Sequence, residues 1–161
     1  ELKHKVTINT DLADIPLIKG KTGKLNQVLV NLFVNAAQAM DNGGTLTVTT
    51  QCNYLDDNEV VIVTVQDTGS GIEKDDLEKL FDPFYTTKPT GKGTGLGLYI
   101  SFSIIESMGG KIKVDSEVNV GTTFTLQLPV ASSDSETDDS ETDDSESDNG
   151  NADSANANKA P

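Results

Sequence analysis

The sequence predicts an α/β domain over residues 1–130, followed by an acidic, disordered tail over 131–161. Three observations lead there. Segments that alternate polar and apolar residues, or are continuously apolar, recur along the chain as strands do. Between them stand stretches whose apolar residues repeat with the helical period. After Leu128-Pro129-Val130 the apolar residues almost stop.

That last change also divides the charge. The 161 residues carry a formal net charge of −14. From Ala131 onward ten acidic residues stand against Lys159 alone, a net −9 that leaves −5 for residues 1–130. The tail repeats DSETD, DSETD, DSESD and then turns to Asn, Ala and Ser, so it cannot bury enough apolar surface to offset the entropy of ordering. It is either a solubilising terminus or a segment that is phosphorylated or binds basic partners, because its serines sit among acids. Cys52 is alone and Trp is absent, which excludes a disulfide framework or a Cys-based metal site within one chain and suits a reducing cytosol. No apolar run approaches the ~20 residues of a membrane span, and no signal peptide precedes the first strand. The expected location is cytoplasmic. The chain opens at Glu1-Leu2-Lys3 without an initiator Met and is read as a fragment of a longer protein, whose upstream part is open to a membrane anchor.

In chain order, Lys5-Val6-Thr7-Ile8-Asn9 alternates as a strand, and a second extended piece, Ile15 to Ile18, is expected after a turn at Asp11 to Asp14. His4, at the start of this region, reads as a surface residue. From Thr22 the period becomes helical, with Leu25, Val28, Leu29, Leu32, Phe33, Ala36 and Met40 on an arc roughly 140° wide. Asn31 and Asn35 lie one turn apart near its border. Either they bond neighbouring backbone, or an amide oxygen points into a cleft as a ligand for a hard cation such as Mg²⁺. Asp41-Asn42-Gly43-Gly44 ends the helix. Strands follow at Thr45 to Cys52 and Glu59 to Gln66, joined by a polar turn at residues 55–58. The second strand, apolar on both faces, is expected in the middle of its sheet.

That strand finishes at Asp67-Thr68-Gly69-Ser70-Gly71-Ile72. A carboxylate at the end of a buried strand is costly unless it has something to bond. Either Asp67 caps the next helix, or it accepts a hydrogen bond from an exocyclic amine, such as that of adenine, on a flat ligand lying against Gly69 and Gly71. A short helix over Ile72 to Phe81 is stopped by Asp82-Pro83. Then come four alternate glycines, Gly91, Gly93, Gly95 and Gly97, between lysines and an apolar run. Alone they suit a linker, a capping turn or a mobile loop over phosphate. A helix from about Leu96 to Met108 begins at the last of them, so its free N–H groups and dipole face whatever anion the loop covers. Gly109-Gly110 turns the chain, and Lys111 to Ser116 and Thr122 to Pro129 form a closing hairpin.

Common fingerprints fail on spacing. Neither Gly91-x-Gly93 nor Gly93-x-Gly95 is followed by the third glycine of G-x-G-x-x-G, and a phosphate-loop reading of Gly20-Lys21-Thr22 needs a glycine where Ile15 stands. There is no His/Cys metal spacing, no Ser/His/Asp set with a single His, and no aromatic-basic patch for nucleic acid.

Four segments together carry a family pattern. LNQVLVNLFVNAAQAM resembles the N box, DTGSGI the first glycine box, LFDPFY the F box and GKGTGLGL the second glycine box of the GHKL ATPase superfamily, in order and over nearly all of residues 4 to 130. The set is similar to the catalytic ATP-binding domain of bacterial sensor histidine kinases. The resemblance implies a two-layer α/β sandwich, the Bergerat fold: a mixed sheet with helices on one face and a mobile ATP lid. It implies ATP and Mg²⁺ as cofactors, Asn35 as the metal ligand with Asn31 as its companion, and Asp67 as the adenine-binding carboxylate. Gly69, Gly71 and Ile72 form the turn beneath the base. Gly93, Thr94, Gly95, Leu96, Gly97 and Leu98 form the lid and phosphate-binding turn, with Lys88 and Lys92 as phosphate contacts. Thr122 helps hold adenine through water, with Thr123 as its competitor, and Phe81 and Phe84 anchor the lid.

In ATP-hydrolysing relatives such as gyrase, a Glu four residues before the metal Asn activates water. Here that position is Asn31, and an amide is no general base. The resemblance therefore implies transfer to an external acceptor: a His on a dimerisation hairpin absent from this chain, with relay to a response regulator receiver domain. His4 has neither the helix nor the acidic neighbour of such an acceptor. The isolated chain is expected to be monomeric, to bind ATP and not to autophosphorylate; the full-length protein is expected to be a homodimer. The alternatives are a GHKL-type ATP hydrolase, a degenerate nucleotide-binding module and a serine-kinase relative.

Overall fold

Strand alternation extends further at the N-terminus than expected. In the computed structural model, which describes residues 6–55, 58–88 and 93–131, β1 spans Val6–Leu12 and runs parallel to β2, Gly44–Leu55. The turn expected at Asp11 starts later, because Asp11 and Leu12 pair with Thr49 and Thr50. The extended piece expected at Ile15 to Ile18 reduces to one bridge, Ile18 to Val130. Pro16 has no N–H to give a ladder.

β3, Asn58–Asp67, lies antiparallel to β2 and to β5, Gly121–Pro129, and β4, Lys111–Glu117, closes the far edge against β5. The order is β1-β2-β3-β5-β4, a mixed sheet with β3 in the middle. Consecutive residues point to opposite faces, and Val61 and Ile62 are both buried, as a central strand requires.

Helix α1, Thr22–Ala39, buries Val28, Leu32 and Ala36, four residues apart on one face, and its C-cap Met40 continues the row. α3, Gly97–Ser107, adds Ile104 and Ile105 and, at its C-cap, Met108, and these form one core with Val61, Val63, Val65, Phe124, Leu126 and Leu128 of the sheet. This is the two-layer α/β sandwich, with helices on one face. The helix expected over Ile72 to Phe81 is a correction: only Lys74–Leu77 is helical (α2). Beyond it the chain makes three-residue turns, Asp82 N–H to Lys79 O at 2.9 Å and Tyr85 N–H to Asp82 O at 3.3 Å, since Pro83 disfavours helical backbone at Asp82.

The site is set up by how the core rows end. On the helix-facing side β3 presents Val61, Val63, Val65 and then Asp67. β5 presents Leu128, Leu126, Phe124 and then Thr122, and β4 presents Ile112, Val114 and then Ser116. Register places Asp67 opposite Thr122 and Thr122 opposite Ser116. Three apolar rows thus finish together in one polar tier. His4, the polar turn at 56–57, Lys92 and the tail from 132 lie outside the described residues.

Candidate functional site

At the sheet end, Asp67 is only 5 % exposed. Its Oδ1 accepts the Gly69 N–H at 2.8 Å. Burial pushes its carboxyl above the ordinary carboxylate range, while the backbone N–H groups of Gly69 and Thr122 pull the other way. The Ser116 hydroxyl shares a 2.9 Å hydrogen bond with the Thr122 hydroxyl, donates to Gly121 O at 3.0 Å and accepts the Ile72 N–H at 2.9 Å. Gly71 is needed where it stands: φ is +70°, and a Cβ there would lie 2.1 Å from Glu117 O. The turn after β3 is therefore pressed onto the β4–β5 turn, with Asn119 N–H on Ser70 O at 2.7 Å.

The opposite end is built from helices and loop. Lys88 Nζ donates to Asn35 Oδ1 at 2.9 Å and to Gln38 Oε1. An ammonium thus already occupies the carboxamide oxygen proposed for a metal, and burial lowers the pKa of this lysine. Asn31 uses its nitrogen: Nδ2 donates to Gly97 O at 3.1 Å and to Ser101 Oγ at 3.2 Å. The loop into α3 is fastened by Phe84 N–H to Gly95 O at 3.0 Å. Gly95 has φ +66°, and a Cβ there would meet the Phe84 carbonyl carbon at 2.3 Å. Tyr85 Oη donates to Asp76 Oδ1 at 2.6 Å, tying the loop to α2. Phe81 packs on Phe102 with ring centroids 5.4 Å apart. Phe84, expected as a second aromatic anchor, is 73 % exposed with φ +68°. It holds the loop through its backbone, and its ring does not.

Between the two ends lies a cavity of about 450 Å³. It brings together Asn31, Asn35, Asp67, Gly71, Ile72, Lys88, Gly93, Thr94, Gly95, Gly97, Leu98 and Thr122. Gly69 and Leu96 stand behind the wall: Gly69 backs onto Ala39, and Leu96 precedes α3 as its N-cap. Thr122 lines the cavity and Thr123 does not, because alternate residues of β5 face opposite ways. Gln38, Tyr85 and Asp76 also line it and escaped the sequence reading. Gln38 sits three residues after Asn35, one turn along the same face, and that spacing was the available signal.

Among the described residues no group of three or more His, Cys, Asp or Glu could hold a metal ion. A cation here would have Asn35 Oδ1 as a protein donor and would need further oxygens from a ligand, as Mg²⁺ takes from phosphates. The Lys88 ammonium on Asn35 Oδ1 shows that this oxygen accepts a cation, so the donor fits. Among the described residues no helix is long and apolar enough to cross a membrane.

Known proteins share this architecture. The sequence pattern of the family described as histidine kinase-, DNA gyrase B-, and HSP90-like ATPase matches residues 20–132. The sensor kinase CckA of Brucella abortus is 44% identical over 136 residues, covering 78% of this chain and 14% of CckA. The chain thus spans a small part of such relatives. The catalytic domain of the histidine kinase ThkA, solved in a nucleotide-free form, superposes with a TM-score of 0.65 at 33% identity, over 77% of this chain and 80% of that one. Full-length ShkA, solved in complex with AMPPNP, superposes with a TM-score of 0.65 at 29% identity, over 78% of this chain and 26% of ShkA.

Proposed function

The chain belongs to the histidine kinase-, DNA gyrase B- and HSP90-like ATPase family, and from that premise we propose that its cavity binds ATP with Mg²⁺ as the catalytic domain of a two-component sensor histidine kinase. The observation that carries the reading is one cavity with a buried carboxylate at the sheet end, Asp67, and a carboxamide oxygen already holding a cation at the helix end, Asn35.

Asp67 accepts the exocyclic amine of adenine, which gives the buried carboxylate the donor that its desolvation calls for. Thr122 lies beside the base, and Gly71 and Ile72 form the floor under it. Gly93 to Leu98 bring the first N–H groups of α3 toward the phosphates, assisted by Lys88 and Lys92. Mg²⁺, held by Asn35, would neutralise charge on the transferring phosphoryl group. The acceptor is an imidazole on a dimerisation hairpin outside this chain, and a response regulator receiver domain takes the group next. This role is cytoplasmic, with the domain monomeric by itself and the whole kinase a homodimer.

The names of the sensor kinase CckA and the histidine kinase ThkA support the kinase reading, and AMPPNP in ShkA supports a nucleotide. Against hydrolysis stands Asn31, where hydrolases of this superfamily carry Glu. Its amide is no base, and its nitrogen is bonded to α3.

Calorimetry of ATP binding, with and without Mg²⁺, tests the site. Asn35→Ala is expected to remove most of the Mg²⁺-dependent affinity, roughly tenfold, and Asp67→Asn to weaken binding in both conditions. Both variants binding ATP like the wild type would overturn the assignment. Supplying the phosphoacceptor hairpin in trans is expected to yield an acid-labile phosphohistidine; steady phosphate release by the isolated chain, abolished by Asn31→Ala, would favour the hydrolase instead.

A further inference from the structure

We infer that Ser101 is a positioning residue for the phosphate end of the cavity: its buried hydroxyl helps hold the Asn31 carboxamide with its nitrogen on α3 and its oxygen turned away from α3, toward the ligand. The inference rests on the Mg²⁺-ATP reading above.

Ser101 is 0 % exposed, a polar residue on the α3 face that otherwise buries Ile104 and Ile105. Its Oγ donates to Gly97 O at 2.9 Å. A serine hydroxyl has one hydrogen, and with that hydrogen committed Ser101 offers Asn31 only lone pairs. Gly97 O is a carbonyl and can only accept. Both groups facing the Asn31 amide head are therefore acceptors, and the atom turned toward them must be Nδ2, at 3.1 Å from Gly97 O and 3.2 Å from Ser101 Oγ. Gly97 O and Ser101 Oγ stand 2.9 Å apart, so both draw on the same nitrogen edge of the amide. What remains is Oδ1 of a half-buried residue that lines the cavity, one helical turn before Asn35.

The consequence is electrostatic. Asn31 turned the other way would present two N–H donors beside Asn35 and repel a cation and the waters oriented around it. Held by Ser101, it presents a second acceptor, to the cation or to its bound water. Without Ser101 the amide nitrogen keeps Gly97 O and loses its second acceptor on α3, so the head is held less firmly in this orientation. Ser101 thus acts on the metal-dependent part of binding through Asn31, although it does not line the cavity itself.

The test is the ratio of ATP affinities with Mg²⁺ and with EDTA, measured on the full chain. Ser101→Ala is expected to lower this ratio roughly three- to tenfold, and Ser101→Thr, which keeps the hydroxyl, to hold it near the wild-type value. In an Asn31→Ala background Ser101→Ala is expected to change the ratio less than about twofold, because the group it positions is gone. A structural role would lower thermal stability in both backgrounds and leave the ratio alone. Should Ser101→Ala fold poorly, the Asn31 side-chain amide of the wild type gives a second readout by NMR: two resolved protons in slow exchange with water support the inference, and rapid exchange overturns it. A wild type whose ATP affinity ignores Mg²⁺ overturns both the site reading and this role. Clear wild-type dependence with an indifferent Ser101→Ala overturns this role alone.

Discussion

At the sheet end of the cavity the anchoring contacts run between backbone groups and short side chains on neighbouring strands: Asp67 on Gly69, Ser116 on Thr122 and Ile72, Gly71 against Glu117. At the helix end the cavity-lining contacts are made by longer side chains and a loop: Lys88 on Asn35 and Gln38, Tyr85 on Asp76. Strand register fixes the first set, since Asp67 cannot leave Thr122 without β3 leaving β5. The second set can break one bond at a time. A base, which keeps its shape, is suited to the rigid end, and phosphates with a variable cation shell to the adaptable one. The two asparagines of α1 repeat the contrast on a smaller scale, Asn31 being bound to α3 and Asn35 to the long side chain of Lys88.

The largest expected effect breaks the rigid end by its backbone. Gly71→Ala places a methyl 2.1 Å from Glu117 O on a residue with φ +70°, so the β3 turn and the β4–β5 turn must separate. Urea denaturation is expected to show a loss of about 2 kcal/mol or more, with ATP binding lost together with the turn. A variant as stable as the wild type would mean that the two turns are not locked together and that the sheet end is no more rigid than the helix end.

Asp67→Asn separates binding from stability at the same end. A charge-assisted bond to the adenine amine is worth about 1.5–3 kcal/mol, roughly a ten- to hundredfold loss of ATP affinity. Stability should move the opposite way. The carboxyl is raised by burial, so between the ordinary carboxylate value and its raised value the folded state holds a proton that the unfolded state has released. Stability from this group is therefore lost as pH rises through that window, and above it the ionised side chain is a net cost. The asparagine variant is expected to be more stable than the wild type near neutral pH, the advantage shrinking as pH falls through the window. Denaturation midpoints against pH measure this; an advantage that grows on acidification would contradict the assigned shift. ATP affinity of the wild type should fall over the same acidification, as the acceptor becomes protonated.

How much of this was legible in the sequence follows the same division. Asp67 at the end of VVIVTV and Asn35 on the border of the α1 arc could be found because strand alternation and helical period are local rules. Register is not local. Ser116 joins Thr122 only once β4 is set against β5, and Ser101 meets Asn31 only when α3 lies on α1, 70 residues apart in sequence. The α2 region was misread for a related reason: Leu77, Leu80 and Phe81 have helical spacing, but the backbone reaches Pro83 through three-residue turns that still pack Leu80 and Phe81 against the core. For Phe84 the family resemblance implied an aromatic anchor for the lid, whereas the chain uses its backbone N–H on Gly95 and leaves the ring outside.

The smallest expected effect probes the adaptable end. Lys88 has two opposed roles in the proposed cycle: without ligand its ammonium sits on Asn35 Oδ1, and with ATP it moves to phosphate. Lys88→Met keeps much of the side-chain length and removes the charge, so it deletes a phosphate contact and also a competitor for the metal's oxygen. These changes partly cancel at saturating Mg²⁺, where ATP affinity is expected to fall only about two- to threefold. They do not cancel in the Mg²⁺ titration. The concentration giving half of the Mg²⁺ effect should drop, because the cation no longer has to displace an ammonium from Asn35. A half-effect concentration that stays constant or rises would show that Lys88 leaves Asn35 at no expense to the metal, and the adaptable end would then have to be explained by the loop alone.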